Sequence, residues 1–102
     1  MKYKIKTSDL IIGSTNLENV DSSMGIAHGI FLPEKDYGKV QDVFQLFISE
    51  HFEEYYKSRD NLNLELIDED GNTILTDCIH IEDYLAKFDE ATIEIKFSES
   101  IK

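Results

Sequence analysis

Residues 33–57 read PEKDYGKVQDVFQLFISEHFEEYYK. Pro33 stands at the start, where a missing backbone N–H costs nothing in a first helical turn. Glu34 and Asp36 follow and suit the positive end of a helix dipole. Tyr37, Val40, Phe44, Phe47, Ile48, His51 and Tyr55 then recur at helical spacing and form one broad stripe. Lys39, Asp42, Ser49, Glu50, Glu53 and Lys57 occupy the opposite side. The pattern predicts one long amphipathic helix that ends near Lys57, where Ser58, Arg59, Asp60 and Asn61 break the period. Such a helix needs an apolar surface to lie on. The segments around it read as strands, so that surface is a sheet.

Lys2 to Thr7 alternates, with Tyr3 and Ile5 on one side and three lysines on the other. This is a half-buried strand whose charged face suits a sheet edge. Leu10, Ile11 and Ile12 make a short apolar run after a Thr-Ser-Asp turn. Residues 13–25 are polar and non-periodic, and read as a connection pinned by Leu17 and Val20; a functional or mobile loop is the alternative. Residues 24–33, MGIAHGIFLP, form a strand with a large parity (Met24, Ile26, His28, Ile30, Leu32) and a small one (Gly25, Ala27, Gly29). Glycines weaken a strand, so the small parity is expected to admit a close neighbour, first of all the helix and otherwise a partner. His28, among apolar residues, is expected in the core.

Residues 62–82 predict a hairpin with Asp70-Gly71 at its turn. A two-residue turn pairs Leu66 with Leu75, Leu64 with Asp77 and Leu62 with Ile79. That register gathers the leucines but strands Asp77 among them, so a bulge is expected to turn it outward. Residues 82–87 suggest one helical turn capped by Asp83. Ile93, Ile95 and Phe97 alternate with Glu94 and Lys96 in a last strand, and SESIK reads as a frayed tail. The expected architecture is a single α+β domain over 1–102. It has a mostly antiparallel sheet of five to six strands, with one long amphipathic helix packed on one face.

Among the 102 residues, 21 acids outweigh ten Lys and Arg, for a net charge of −11. The first 33 residues are balanced, so everything from residue 34 on carries the deficit. A surface of that sign repels phosphate backbones, which argues against nucleic acid as a partner, and attracts a basic protein. No apolar run approaches a membrane span and the N-terminus lacks a signal-peptide pattern, so a cytoplasmic protein is expected. The lone Cys78 excludes an internal disulfide framework.

The chemistry-bearing residues do not assemble into a catalytic pattern. Asp68 to Asn72 resembles the opening of a calcium loop, but Ile79 stands where a bidentate glutamate belongs, and a hairpin turn explains it. Cys78 and His80 share a strand face and supply at most half a zinc site. No metal, cofactor or catalytic residue is assigned, and an enzyme is not expected.

Size and acidity together resemble the small acidic immunity proteins of bacterial contact-dependent or polymorphic toxin systems. The resemblance is one of character over the whole chain, without a diagnostic motif. It implies binding to a basic, nuclease-type toxin domain and occlusion of its active site. The candidate contacts are Asp42, Glu50, Glu53 and Glu54 on the outer helix face, Asp68, Glu69, Asp70 and Asp77 around the hairpin, and Leu46 and Tyr56 as anchors. Free, such a protein would be a monomer or homodimer. The rivals are a homo-oligomeric structural or regulatory module and a small enzyme using His28, Cys78 or His80.

Overall fold

The computed structural model describes residues 2–98. The expected frayed tail falls, from residue 99 on, outside the described residues. In chain order the elements are β1 (Tyr3–Thr7), β2 (Leu10–Thr15), β3 (Asn19–Asp21), β4 (Ile26–Ile30) and β5 (Leu32–Pro33). A 3-10 helix (Lys35–Lys39), α1 (Gln41–Ile48) and α2 (Phe52–Leu62) follow. Then come β6 (Glu65–Ile67), β7 (Thr73–Ile74), β8 (Thr76–Tyr84), α3 (Leu85–Phe88) and β9 (Glu90–Phe97). The domain is α+β and its strand pairs are antiparallel, as the sequence predicts. In place of the single expected sheet of five to six strands there are two, ordered β5-β2-β1-β6-β7 and β3-β4-β9-β8, because the chain crosses between two layers instead of continuing one ladder. Two single residues carry the chain between them: buried Phe31 separates β4 from β5, and exposed Leu75 separates β7 from β8.

The inner faces follow from strand parity. Ile5, Ile12 and Leu66 come from the first sheet, and Ala27, Ile79, Ile81, Ile93 and Ile95 from the second. The aromatic stripe joins them. Phe31, Tyr37, Phe44 and Tyr55 are buried and form a chain of rings with centroids 5.3, 5.8 and 6.5 Å apart. Such tilted and offset contacts add to the area these rings bury.

β8 is an edge strand, and the helical segment covers that edge. From one side, Tyr37 Oη donates to Asp83 Oδ2 at 2.6 Å and Gln41 Nε2 to the same oxygen at 3.1 Å. Gln45 Nε2 reaches the Asp83 carbonyl at 3.3 Å. Phe47 and Tyr55 meet His80, one of the residues that alternate to the other face of β8. Helix side chains thus lie against both faces of this edge strand, and Gln45 takes up one carbonyl that the edge would otherwise offer to another chain.

The long helix is in fact broken. Glu50 N–H bonds Phe47 O at 3.0 Å and His51 N–H bonds Leu46 O at 2.8 Å. Glu50 has φ 64°. This is the paired closing motif of a helix C-terminus, with a glutamate at the left-handed position that usually takes glycine. Composition hides such a stop. After the break His51 precedes α2 and is exposed, not buried in the stripe, while Leu46, expected on the polar side, packs half-buried against the core. Replacing Glu50 by glycine is expected to raise stability by ~0.5 kcal/mol, because relief of the left-handed strain outweighs the added chain entropy. Calorimetry on Glu50→Gly would show a melting temperature higher by roughly 2–4 °C; a lower one would count against this backbone geometry.

α2 also runs past Lys57 to Leu62. The Thr7 hydroxyl donates to the Leu62 carbonyl at 2.5 Å, and Asn63 closes the helix at φ 51°. The expected strand from residue 62 therefore begins only at Glu65. The Asp-Gly turn is longer than two residues: Ile67 pairs Thr73, and the Asp68 carboxylate accepts from the Asp70 and Asn72 N–H groups at 3.0 and 2.9 Å. Leu66 accordingly pairs Ile74, which replaces the predicted Leu66–Leu75 register, and Leu75 is 68% exposed. Asp77 is exposed at a register shift between Thr76 and Cys78, turned outward as expected, although its neighbouring strand is β9. β8 continues through Asp83 to Tyr84, so the helical turn starts at Leu85, whose N–H is bonded by Asp83 Oδ1 at 3.0 Å.

β4 corrects two expectations. Its small parity faces inward, so Ala27 is buried and His28 is exposed. The close neighbour at Gly29 is neither helix nor partner but Glu18, which follows buried Leu17 and accepts the Ile30 N–H at 3.0 Å. Leu17 pins that connection; Val20, on the short strand β3, is exposed.

Candidate functional site

The expected partner residues fall into three groups. Glu53 and Glu54 are exposed in the first turn of α2, where the helix dipole favours carboxylates, and Glu50 is exposed just before it, at the residue that closes α1. Asp42 is exposed in the first turn of α1, one helix earlier. At the other end of α2, about 16 Å away by helix rise, Asp77 lines an open depression of about 290 Å³ with Arg59, Asp60 and Asn63. Tyr56, 47% exposed, lies between these ends with the Arg59 guanidinium 5.2 Å from its ring centroid. Leu46 is half-buried and offers less surface than an anchor would.

The turn acids stand apart. Asp68 is engaged in its own loop, and Glu69 Oε1 accepts the Lys2 N–H at 2.6 Å. Asp70 is exposed. No hydrogen bond or ion pair among the described residues ties this turn to the α2 acids. Among the described residues, ion pairs within 4 Å reach Asp36, Asp60 and Glu82, and none of the eight candidate acids.

A second feature lies on the outer face of the β3-β4-β9-β8 sheet. His28 pairs Glu94 and His80 pairs Glu94, so the three stand in one cross-strand row. His80 is held from several sides. Its Nδ1 lies 2.8 Å from Tyr55 Oη, and its Nε2 lies 3.4 Å from Glu82 Oε2. Its ring meets Phe47 edge-on at 4.6 Å. A neutral imidazole with its proton on Nε2 satisfies both polar neighbours, with the Tyr55 hydroxyl donating to Nδ1. Burial pushes the His80 pKa below its ordinary value, and Arg59 adds to this against the opposing pull of Glu82 and Glu94. Burial likewise raises the Tyr55 phenol, with Arg59 acting the other way.

Cys78 shares this face, and among the described residues no hydrogen bond joins it to His80. Among the described residues, no three His, Cys, Asp or Glu are placed to hold a metal ion, and no helix is long and apolar enough to cross a membrane. The alternation in CIHIE and IEIKF marks these outer positions in the sequence. The row itself depends on the register between two strands of a sheet that local pattern does not define. Compared with known protein families, curated proteins and solved structures, the chain matches none.

Proposed function

We propose that this protein is an immunity-type inhibitor that binds a basic, nuclease-type toxin domain in the cytoplasm and occludes its active site. The carrying observation is that Glu50, Glu53 and Glu54 crowd the exposed start of α2 without an ion pair among the described residues. Carboxylates held on a rigid helix beside an exposed aromatic ring supply both steering charge and an anchor, Tyr56. Asp42 and Asp77 extend that surface towards either end of the helical segment; the Asp68, Glu69 and Asp70 turn forms a separate contact. The action is steric and electrostatic and requires no cofactor, metal or catalytic residue.

The gene next to this one is expected to encode the toxin region of a larger protein. Co-expression with that region should restore growth. Reversing Glu50, Glu53 and Glu54 to lysine should slow association by at least tenfold at low salt, with the difference shrinking as salt rises. Absence of a neighbouring toxin gene together with no growth rescue would overturn the reading; undiminished association by the triple variant would remove α2 from it.

One observation favours a second reading, a homo-oligomeric module. Ile30, Leu32 and Phe88 are exposed along one open groove of about 630 Å³. Light scattering over a concentration series separates the two, since a module of this kind would self-associate.

A further inference from the structure

The strand face that carries His80 also contains an open cavity of about 300 Å³ lined by side chains of sheet and helices. That volume lies at the lower end of small-molecule sites, roughly 300–1,000 Å³. Its walls are Ile26 from β4, Phe47 from α1 and Tyr56 from α2. Two rings and a branched aliphatic favour a flat apolar occupant.

The charges around it run against the rest of the molecule. Arg59 and Lys96 line the cavity with Glu94 as the single carboxylate, in a chain with twice as many acids as bases. Glu94 stands between His28 and His80 in cross-strand register. Arg59 is fixed, since its guanidinium lies 5.3 and 5.2 Å from the Tyr55 and Tyr56 ring centroids. Its side chain is only 14% exposed, and its one ion pair among the described residues is Nη2 to Asp60 at 3.3 Å, an acid side chain 71% exposed. A largely desolvated guanidinium with donors to spare is matched by a carboxylate, which it can grip in a planar fork. Lys96, exposed on β9, has no carboxylate within 4 Å among the described residues.

We propose that this cavity binds a small aromatic carboxylate, its ring between Phe47 and Tyr56 and its anionic end on Arg59 and Lys96. The site shares Tyr56 with the surface assigned to the toxin but none of the α2 carboxylates, and it does not depend on the inhibitor reading. It requires a strongly acidic protein to prefer an anion, which local contact achieves because long-range repulsion is screened at physiological salt.

The test is a nuclear magnetic resonance titration of the ¹⁵N-labelled full chain with 3-phenylpropionate. Neutral 3-phenylpropanol and cationic 3-phenylpropylammonium serve as isosteres. Saturable shifts are expected at Ile26, Arg59, His80 and Lys96, with Kd on the order of 0.1–1 mM for a ligand of this size. The alcohol should bind more weakly and the cation weakest. Arg59→Gln should weaken binding at least tenfold. Because Arg59 also packs on two rings, Lys96→Gln at an exposed strand position provides the second variant, with about a threefold loss. A cation binding as well as the anion, shifts mapping elsewhere, or no saturation by 3-phenylpropionate would overturn the proposal.

Discussion

Asp83→Ala is expected to cost about 3–5 kcal/mol and to bring the domain close to unfolding at room temperature. Asp83 is 2% exposed. Its carboxylate accepts from Tyr37 Oη at 2.6 Å, Gln41 Nε2 at 3.1 Å and the Leu85 N–H at 3.0 Å. Truncation orphans all three donors at once, in the layer where the 3-10 helix, α1, β8 and α3 meet. The Tyr37 hydroxyl is buried and the other two donors are half-buried. Orphaned buried donors cost about 1–3 kcal/mol each and half-buried ones the lower end of that, which places the sum in the upper part of the range for core truncations. Tyr37→Phe leaves the carboxylate two donors and should cost less, about 1–2 kcal/mol. In a double-mutant cycle the two losses should fall well short of additive, because they share one hydrogen bond. Additive losses in urea unfolding would show that the pair is not coupled.

The same carboxylate sets an acid limit. Burial raises its pKa, while the hydrogen bonds from Tyr37, the Leu85 N–H and Gln41 lower it, and the net value lies below the 3.8 of a free aspartate. A depressed folded pKa means that the stabilisation is complete above the unfolded value. It is lost as pH falls through the folded one. Asp83→Asn, which cannot ionise, should therefore lose less stability than wild type between pH 4 and the acid transition.

The residues that were legible in the sequence share a cause. Tyr37, Phe44 and Tyr55 recur at the helical period, and a period survives even where the helix itself is interrupted, because each fragment keeps its buried side. Ile93 and Ile95 were legible for the same reason at period two. Asp77 was placed outward because a lone carboxylate in an apolar row costs too much to stay there. What remained hidden rests on long-range choices. Whether His28 or Ala27 faces inward cannot be decided by β4 alone, since both parities include apolar residues, and Glu18 settles it by occupying the space over Gly29. The Asp-Gly signal marks a turn without fixing its length; the Asp68 side chain made it longer, and this shifted every pair beyond it. For the candidate surface, exposure of the α2 acids follows from the period, whereas nothing in the local pattern shows that the turn acids bond within their own loop and to Lys2. The cavity beside His80 combines five elements and has no local signature.

The crossing at Phe31 leads to the second large effect. Gly13 of β2 pairs with Pro33 of β5, next to the residue that carries the chain from one sheet to the other. A Cβ built on Gly13 would overlap the Phe31 ring at Cζ and Cε1 and come within 2.8 Å of the Leu32 carbonyl oxygen. Neither neighbour can yield. Phe31 is 1% exposed and wedged against Tyr37, and the Leu32 oxygen belongs to backbone paired with β2. Overpacking a tight core costs about 1–3 kcal/mol, and a clash with both a locked ring and main chain puts Gly13→Ala at the upper end. That corresponds to a loss of roughly 10–20 °C in melting temperature for a domain of this size. Gly38, in the 3-10 helix, has nothing within 4 Å of the added atom, so Gly38→Ala should be neutral or slightly stabilising through reduced freedom of the unfolded chain. The contrast matters more than either value. A general cost of replacing glycine would affect both variants, whereas a crossing that requires close approach of β2 and Phe31 affects only the first. Equal melting temperatures for the two variants would mean that the sheets do not meet through Phe31 in this way.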